Sequence, residues 1–180
     1  MGRVLGVELG ELGQRIYATS YLTGEFLLRS GQTTSHYFDK YRFEADPVLL
    51  DEVAAAMIPL VPAGTEVLAG LEMGGIPVVT ALSRHTGLPC AFVRKQAKPY
   101  GTARLAEGAE TAGRRVTIVE DVITTGGQVV LSTTDLRALG ATITDALCVI
   151  NRNPTTPTAL TEAGLTLHPL LTPANLQPPA

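Results

Sequence analysis

In the stretch RVTIVEDVITTGGQVV, residues 115–130, a mostly apolar run ends on two adjacent carboxylates, Glu120 and Asp121. Val122 and Ile123 follow, then Thr124, Thr125, Gly126, Gly127 and Gln128. Paired carboxylates do not bind a phosphate directly. They accept hydrogen bonds from the vicinal hydroxyls of a sugar, or work with a magnesium ion. A loop of hydroxyls and glycines that opens a helix has the opposite preference. Its N–H groups and the helix start attract an anion, and glycine lets backbone approach closely. The stretch therefore reads as a cradle for a phosphorylated sugar, hydroxyls toward the acids and phosphate toward the helix. A helix cap needs one acid, so capping alone leaves the second unexplained. The chain has neither GxxxxGK[ST] nor GxGxxG after a strand.

A second cluster is cationic. Arg94, Lys95, Lys98 and Arg104 lie in or beside a long polar stretch from Lys95 to about Gly113. Loops of this length inside a compact domain are uncommon and are often lids. Cations on a lid suit a negatively charged leaving group.

These residues need a frame that brings them together. Apolar spacing from about Val4 to Tyr21 predicts an N-terminal helix. Thr23-Gly24-Glu25 reads as a break, and SHYFDKYRF as a strand or hairpin of alternating aromatics. Asp46-Pro47 opens the helix VLLDEVAAAMIPL, with Asp as cap and Pro in the first turn. From there strands and helices alternate: TEVLAGL, GGIPVVTALSRHTG, CAFVRK, RRVTIVED, GGQVVLSTTDLRALGA and ITDALCVINR. The tail offers one short helix and one strand before a proline-rich end. Alternation at this spacing predicts an α/β fold, a parallel sheet with helices on both faces.

The 180 residues suit one domain with a sizeable core, 1–180, without an internal repeat or linker. A net charge of −3 gives no case for sequence-independent nucleic-acid binding. No apolar run reaches bilayer length, and the N-terminus lacks a signal-peptide core, so a cytoplasmic enzyme or regulator with no membrane contact is expected. Cys90 and Cys148, in separate apolar runs, read as reduced core thiols.

VTIVEDVITTGG resembles the 5-phosphoribosyl-1-diphosphate (PRPP) signature of the type I phosphoribosyltransferases. Four more segments resemble orotate phosphoribosyltransferase in its order and spacing, together covering roughly residues 26 to 152. FLLRSGQTTSHYFD resembles its early Ser-Gly and aromatic-Asp segment, and LAGLEMGGIPVV its diphosphate-side loop. FVRKQAKPYG resembles its lid motif, with Tyr100 where histidine is usual, and CVINR the segment ending in its base-binding arginine. Gln128 replaces a usual small hydroxyl, and no lysine stands in the Glu72-Met73-Gly74 loop.

The resemblance implies a type I phosphoribosyltransferase fold with a flexible lid. Residues 1–45 and the C-terminal tail would form a small hood over the base. It implies magnesium-dependent transfer of ribose 5-phosphate from PRPP to orotate, giving orotidine 5′-monophosphate and diphosphate. Arg94, Lys95, Lys98 and Asp121 would be catalytic, the three cations neutralising the diphosphate. Residues Glu120 to Gln128, Val122 and Ile123 included, would hold PRPP, and Glu72, Met73 and Gly74 would offer N–H groups to its diphosphate. Thr124, Arg152, Tyr37 and Phe38 would hold orotate. Magnesium would be reached through PRPP, with Asp121 as its candidate protein ligand. A homodimer is implied, its lid residues shared across the interface. Arg29 sits where relatives vary. His36, His85 and His168 are scattered and receive no role. Two other readings stay open: transfer to a different base, and a PRPP-sensing regulator of the same fold.

Overall fold

The computed structural model describes residues 3–4, 7–28, 30–96 and 104–178. Two short antiparallel strands, β1 (Arg3–Val4) and β2 (Val7–Glu8), precede helix α1 (Leu9–Ser20). The helix starts later than the spacing from Val4 predicts. Valine and glycine are poor helix formers, and the inward positions Leu12 and Ile16, both fully buried, belong to the later segment.

A hairpin follows, β3 (Tyr21–Leu27) against β4 (Thr33–Phe38). The expected break at Thr23-Gly24-Glu25 lies inside β3. A register shift between Thr23 and Phe26 absorbs it. The strand expected through SHYFDKYRF stops at Phe38, and Tyr41–Ala45 forms helix α2. Asp39 accepts the Tyr41 N–H at 3.2 Å to start that turn, and Phe43 is fully buried. The alternating aromatics therefore mimic a strand where the chain has begun to coil.

Helix α3 (Pro47–Met57) begins as predicted. Asp46 Oδ1 accepts the N–H groups of Val48 and Leu49 at 3.0 Å. Then come β5 (Val67–Leu71), α4 (Gly75–Thr86), β6 (Cys90–Val93), β7 (Ala106–Gly108), β8 (Arg115–Ile123), α5 (Gly127–Ala138), β9 (Thr142–Asn151), α6 (Thr158–Glu162) and β10 (Thr166–Leu171). The central sheet has six strands in the order β10-β9-β8-β5-β6-β7. All neighbours are parallel except β6 and β7. β7 falls in the stretch read as a loop. Three residues are too few to show a period, and edge pairing decides them.

Helices cover both faces. Leu12, Ile16, Leu49, Val53, Val78 and Leu82 from α1, α3 and α4 pack on one side with Val119 and Leu147 of the sheet. Val129, Leu136 and Leu160 from α5 and α6 pack on the other with Ile118 and Ala146. From β5 the chain moves through α4 to β6 on one side, and later returns to β8 on the other. The strand order thus reverses between β5 and β8. Ligands of open α/β sheets sit outside the carboxyl ends of the strands at such a reversal.

Candidate active site

The two motifs read from sequence end on either side of this reversal. Glu72, Met73 and Gly74 leave β5; Glu120 to Gln128 close β8 and open α5. Gly126 has φ +78°, the left-handed conformation that turns the chain into α5 and that residues with a Cβ adopt at a cost. Residues 122–129 and Glu120 line a cavity of about 200 Å³. Thr124, Thr125 and Gly127 are exposed there. Gln128 lines it too, but its amide Nε2 donates to Ser132 Oγ at 3.1 Å, back along the helix.

The acid pair is divided. Successive side chains of a strand point to opposite faces. Glu120 looks toward α5 and the cavity, while Asp121 looks toward α4 and the hairpin segment. Asp121 is fully buried, and its Oδ2 lies 2.6 Å from Lys40 Nζ. A Cβ on Gly74 would stand 1.7 Å from that same oxygen and 3.0 Å from Glu44 Oε1. Asp121 therefore does not face the sugar side of the cradle beside Glu120, as its place in the motif suggests. The strand's alternation turns it away.

Protonation follows the division. Burial, then contact with Asp121, pushes the Glu44 carboxyl up to about 9. Burial and Asp121 likewise push Glu120 well above its usual range. Burial alone would raise Asp121, but Glu120, Glu44 and the Lys40 ammonium outweigh it and hold Asp121 below its usual value. Two carboxyls of the cluster are thus pushed toward the neutral form, while the third is held toward the charged form beside the Lys40 ammonium. Both Glu44 oxygens are buried without a conventional hydrogen-bond partner. Lys40 and Glu44 were not singled out from sequence. The lone lysine within the aromatic run, with an acid four residues on, was the available signal.

At the loop after β5, Glu72 Oε1 accepts the Lys95 N–H at 2.7 Å, and the Arg94 N–H donates to Leu105 O at 2.9 Å. The peptide bond between Glu72 and Met73 is cis, and Met73 is exposed. Arg94 and Glu72 share a cavity of about 350 Å³ with Ile76, Phe92, Val93 and Glu107. Lys95 is exposed, and Arg104 stands 4.0 Å from Glu110. Lys98, Tyr100 and Arg29 lie outside the described residues.

Tyr37, Phe38 and Arg152 meet in a larger cavity, about 440 Å³. Arg152 Cζ lies 5.3 Å from the Phe38 ring centroid. Tyr17, Tyr21, His36, Pro173, Leu176 and Gln177 complete the wall. Tyr17 stacks on Tyr21 with centroids 4.6 Å apart, and Tyr21 on His36 at 5.3 Å. Sequence reading singled out none of these six, although all lie in the segments expected to form the hood. Thr124 does not line this cavity, yet the two sites adjoin. The Arg152 N–H donates to Ile123 O at 2.8 Å, and the Asn153 amide donates to Thr124 O.

Among the described residues no group of three or more His, Cys, Asp and Glu could hold a metal. Magnesium usually takes one or two carboxylates plus substrate phosphates. Of the acid pair, Glu120 lines the cavity, whereas Asp121 is turned away and already paired with Lys40. Among the described residues no helix is long and apolar enough to cross a membrane.

A family model for the phosphoribosyl transferase domain matches residues 46–159. The chain is 53% identical over 165 residues to an orotate phosphoribosyltransferase of a Nocardioides species, covering 92% of each chain. It is 36% identical to the enzyme of the same name from Methanocella arvoryzae, covering 93% of this chain and 94% of that one. The structure is similar to Mycobacterium tuberculosis orotate phosphoribosyltransferase in complex with Fe(III) dicitrate, with TM-score 0.84 and 29% identity, covering 93% and 98% of the two chains. A complex of the same enzyme with PRPP superposes with TM-score 0.79 at 26% identity, again covering 93% and 98%.

Proposed function

This chain belongs to the orotate phosphoribosyltransferase family, and on that premise we propose which of its residues carry the reaction and how. The reaction moves ribose 5-phosphate from PRPP to orotate, giving orotidine 5′-monophosphate and diphosphate, a step of pyrimidine biosynthesis. One observation carries the assignment of roles. The backbone and side-chain bonds from Arg152 and Asn153 to Ile123 and Thr124 fix the aromatic cavity directly beside the phosphate loop.

Thr124, Thr125, Gly126, Gly127 and Gln128 anchor the 5-phosphate at the start of α5, where N–H groups converge. Glu120 meets the ribose hydroxyls. Its carboxyl oxygens accept hydrogen bonds from those hydroxyls. Asp121 acts from behind the strand. Phe38 and Tyr37 flank the base, and the Arg152 guanidinium forks onto the orotate carboxylate. Breaking the C1–O bond leaves positive charge on the ribose and negative charge on diphosphate. Arg94, Lys95 and Lys98 neutralise the latter, with N–H groups of the Glu72-Met73-Gly74 loop beside them. Binding at phosphate and base fixes C1 for attack. Phosphoribosyltransferases generally depend on Mg²⁺; bound with PRPP here, it would offset diphosphate charge.

The chain works as one domain, residues 1–45 and the tail forming the hood. It works as a homodimer whose lid cations reach the partner's site. Mixing Lys98→Ala subunits with Asp121→Asn subunits restores activity through hybrid dimers; no recovery after demonstrated subunit exchange rules out sharing. The base is tested by diphosphate release with PRPP and a panel of bases. Turnover with orotate alone is expected. Turnover with a purine or uracil would reassign the base, and PRPP binding without turnover would make the chain a sensor.

A further inference from the structure

We infer that Lys40 is a positioning residue for PRPP, acting through Asp121 on the diphosphate-side loop. The inference rests on the functional reading above. Lys40 follows the hairpin, two residues after Phe38 of the aromatic cavity and four before Glu44. Its ammonium is 2.6 Å from Asp121 Oδ2 and 5.3 Å from the Tyr41 ring centroid, so it is held from two sides. Asp121 Oδ2 in turn fills the space that a side chain on residue 74 would take. Three segments distant in sequence therefore meet at one carboxylate: the hairpin exit, the end of β8 and the loop after β5.

A carboxylate buried this fully stays in one place only while a counter-charge holds it. Asp121 also receives the N–H of Val122 at 2.5 Å on its other oxygen. Its orientation consequently sets both the path of the backbone entering the phosphate loop and the seat of Gly74. Lys40 is the single cation among the described residues that pairs with it. Without the ammonium, Asp121 can rotate or take a proton. The loop after β5 and the start of residues 122–128 then lose their common reference. On the functional reading above both of those segments meet PRPP, whereas the base is held mainly by Tyr37, Phe38 and Arg152.

The test compares full-length wild type, Lys40→Met and Lys40→Arg. Calorimetry measures affinity for PRPP with magnesium and, separately, for orotate; steady-state assays give KM for each. Folded content is checked by circular dichroism. Lys40→Met is expected to weaken PRPP by at least about tenfold, the scale of a lost hydrogen bond to a charged group. Orotate affinity should move by less than about twofold, and Lys40→Arg should recover most of the PRPP affinity. Unchanged PRPP affinity, equal weakening of both ligands, or an arginine variant no better than methionine would overturn the inference. If Lys40→Met does not fold, Lys40→Gln takes its place with the same readouts. Failure of both to fold would make Lys40 a residue of the fold alone. Wild type that binds no PRPP would defeat the underlying functional reading, visible before any variant is made.

Discussion

On one face of β8, Glu120 borders an open cavity rimmed by exposed threonines and glycine; on the other, Asp121 is sealed beneath Gly74 with Lys40 and Glu44. Adjacent residues of one motif thus occupy opposite environments. The open face holds an acid that lines the cavity. The closed face holds a charge that a ligand does not reach but that fixes the backbone around it. On the function proposed above, contact falls to Glu120 and orientation to Asp121, although both are acids of the same motif.

The closed face breaks most sharply at Gly74. A methyl group there would overlap Asp121 Oδ2 at 1.7 Å and Asp121 Cγ at 2.4 Å. Asp121 would have to leave Lys40. Gly74→Ala is expected to lower kcat/KM for PRPP by on the order of a hundredfold, ~2.7 kcal/mol. Less than about a threefold loss would mean that the loop shifts without consequence. A smaller effect comes from exchanging the acids for amides. Asp121→Asn removes the partner of Lys40 and should cost ~2 kcal/mol, roughly 5 °C in melting temperature for a chain of this size. Glu120→Gln leaves the Lys40 pair intact and should lower melting by less than about 2 °C. Equal shifts would erase the distinction between the two faces.

The open face was legible in the sequence because its chemistry is local. Gly126, Thr124 and Thr125 sit in one loop, and their spacing after an apolar strand is enough to place them. The helix start at Asp46-Pro47 was legible for the same reason. The closed face was not, since Lys40, Glu44, Gly74 and Asp121 meet only through the tertiary fold. Local pattern misread the segment holding Lys40, because Tyr41 and Phe43 alternate as in a strand while burial of Phe43 selects a helix. The short β7 and the Pro173–Gln177 wall of the aromatic cavity likewise depend on partners remote in sequence.

Glu44 offers a way to sharpen the contrast through pH. Its carboxyl titrates near 9 in the folded chain, while in the unfolded chain it titrates near its ordinary value of 4.5. The folded state therefore retains a proton that the unfolded state gives up. The resulting stabilisation is complete below about pH 4.5 and is lost progressively as pH rises toward 9. Glu44→Gln removes this dependence. The melting temperature of the variant minus that of wild type should rise steadily between pH 5.5 and pH 8.5, by about 2–4 °C per pH unit for the ~1.4 kcal/mol that one proton is worth. Taking the difference cancels the similar slope from Glu120. A flat difference would show Glu44 to be ionised in the folded protein.

The smallest effect is expected on the open face, at Gln128. Its side chain is spent on Ser132, one turn along α5, leaving its place in the phosphate loop to the backbone N–H alone. A serine there is short enough to turn its hydroxyl into the cavity. Gln128→Ser should lower KM for PRPP by about threefold, the scale of one neutral hydrogen bond. KM for orotate should not move, because the aromatic cavity is walled by other residues. The lost amide contact takes a partner from the buried Ser132 hydroxyl and should cost on the order of 1 kcal/mol of stability. An unchanged KM for PRPP would mean that backbone N–H groups already saturate the phosphate. The open face would then owe its affinity to the turn at Gly126 rather than to any side chain.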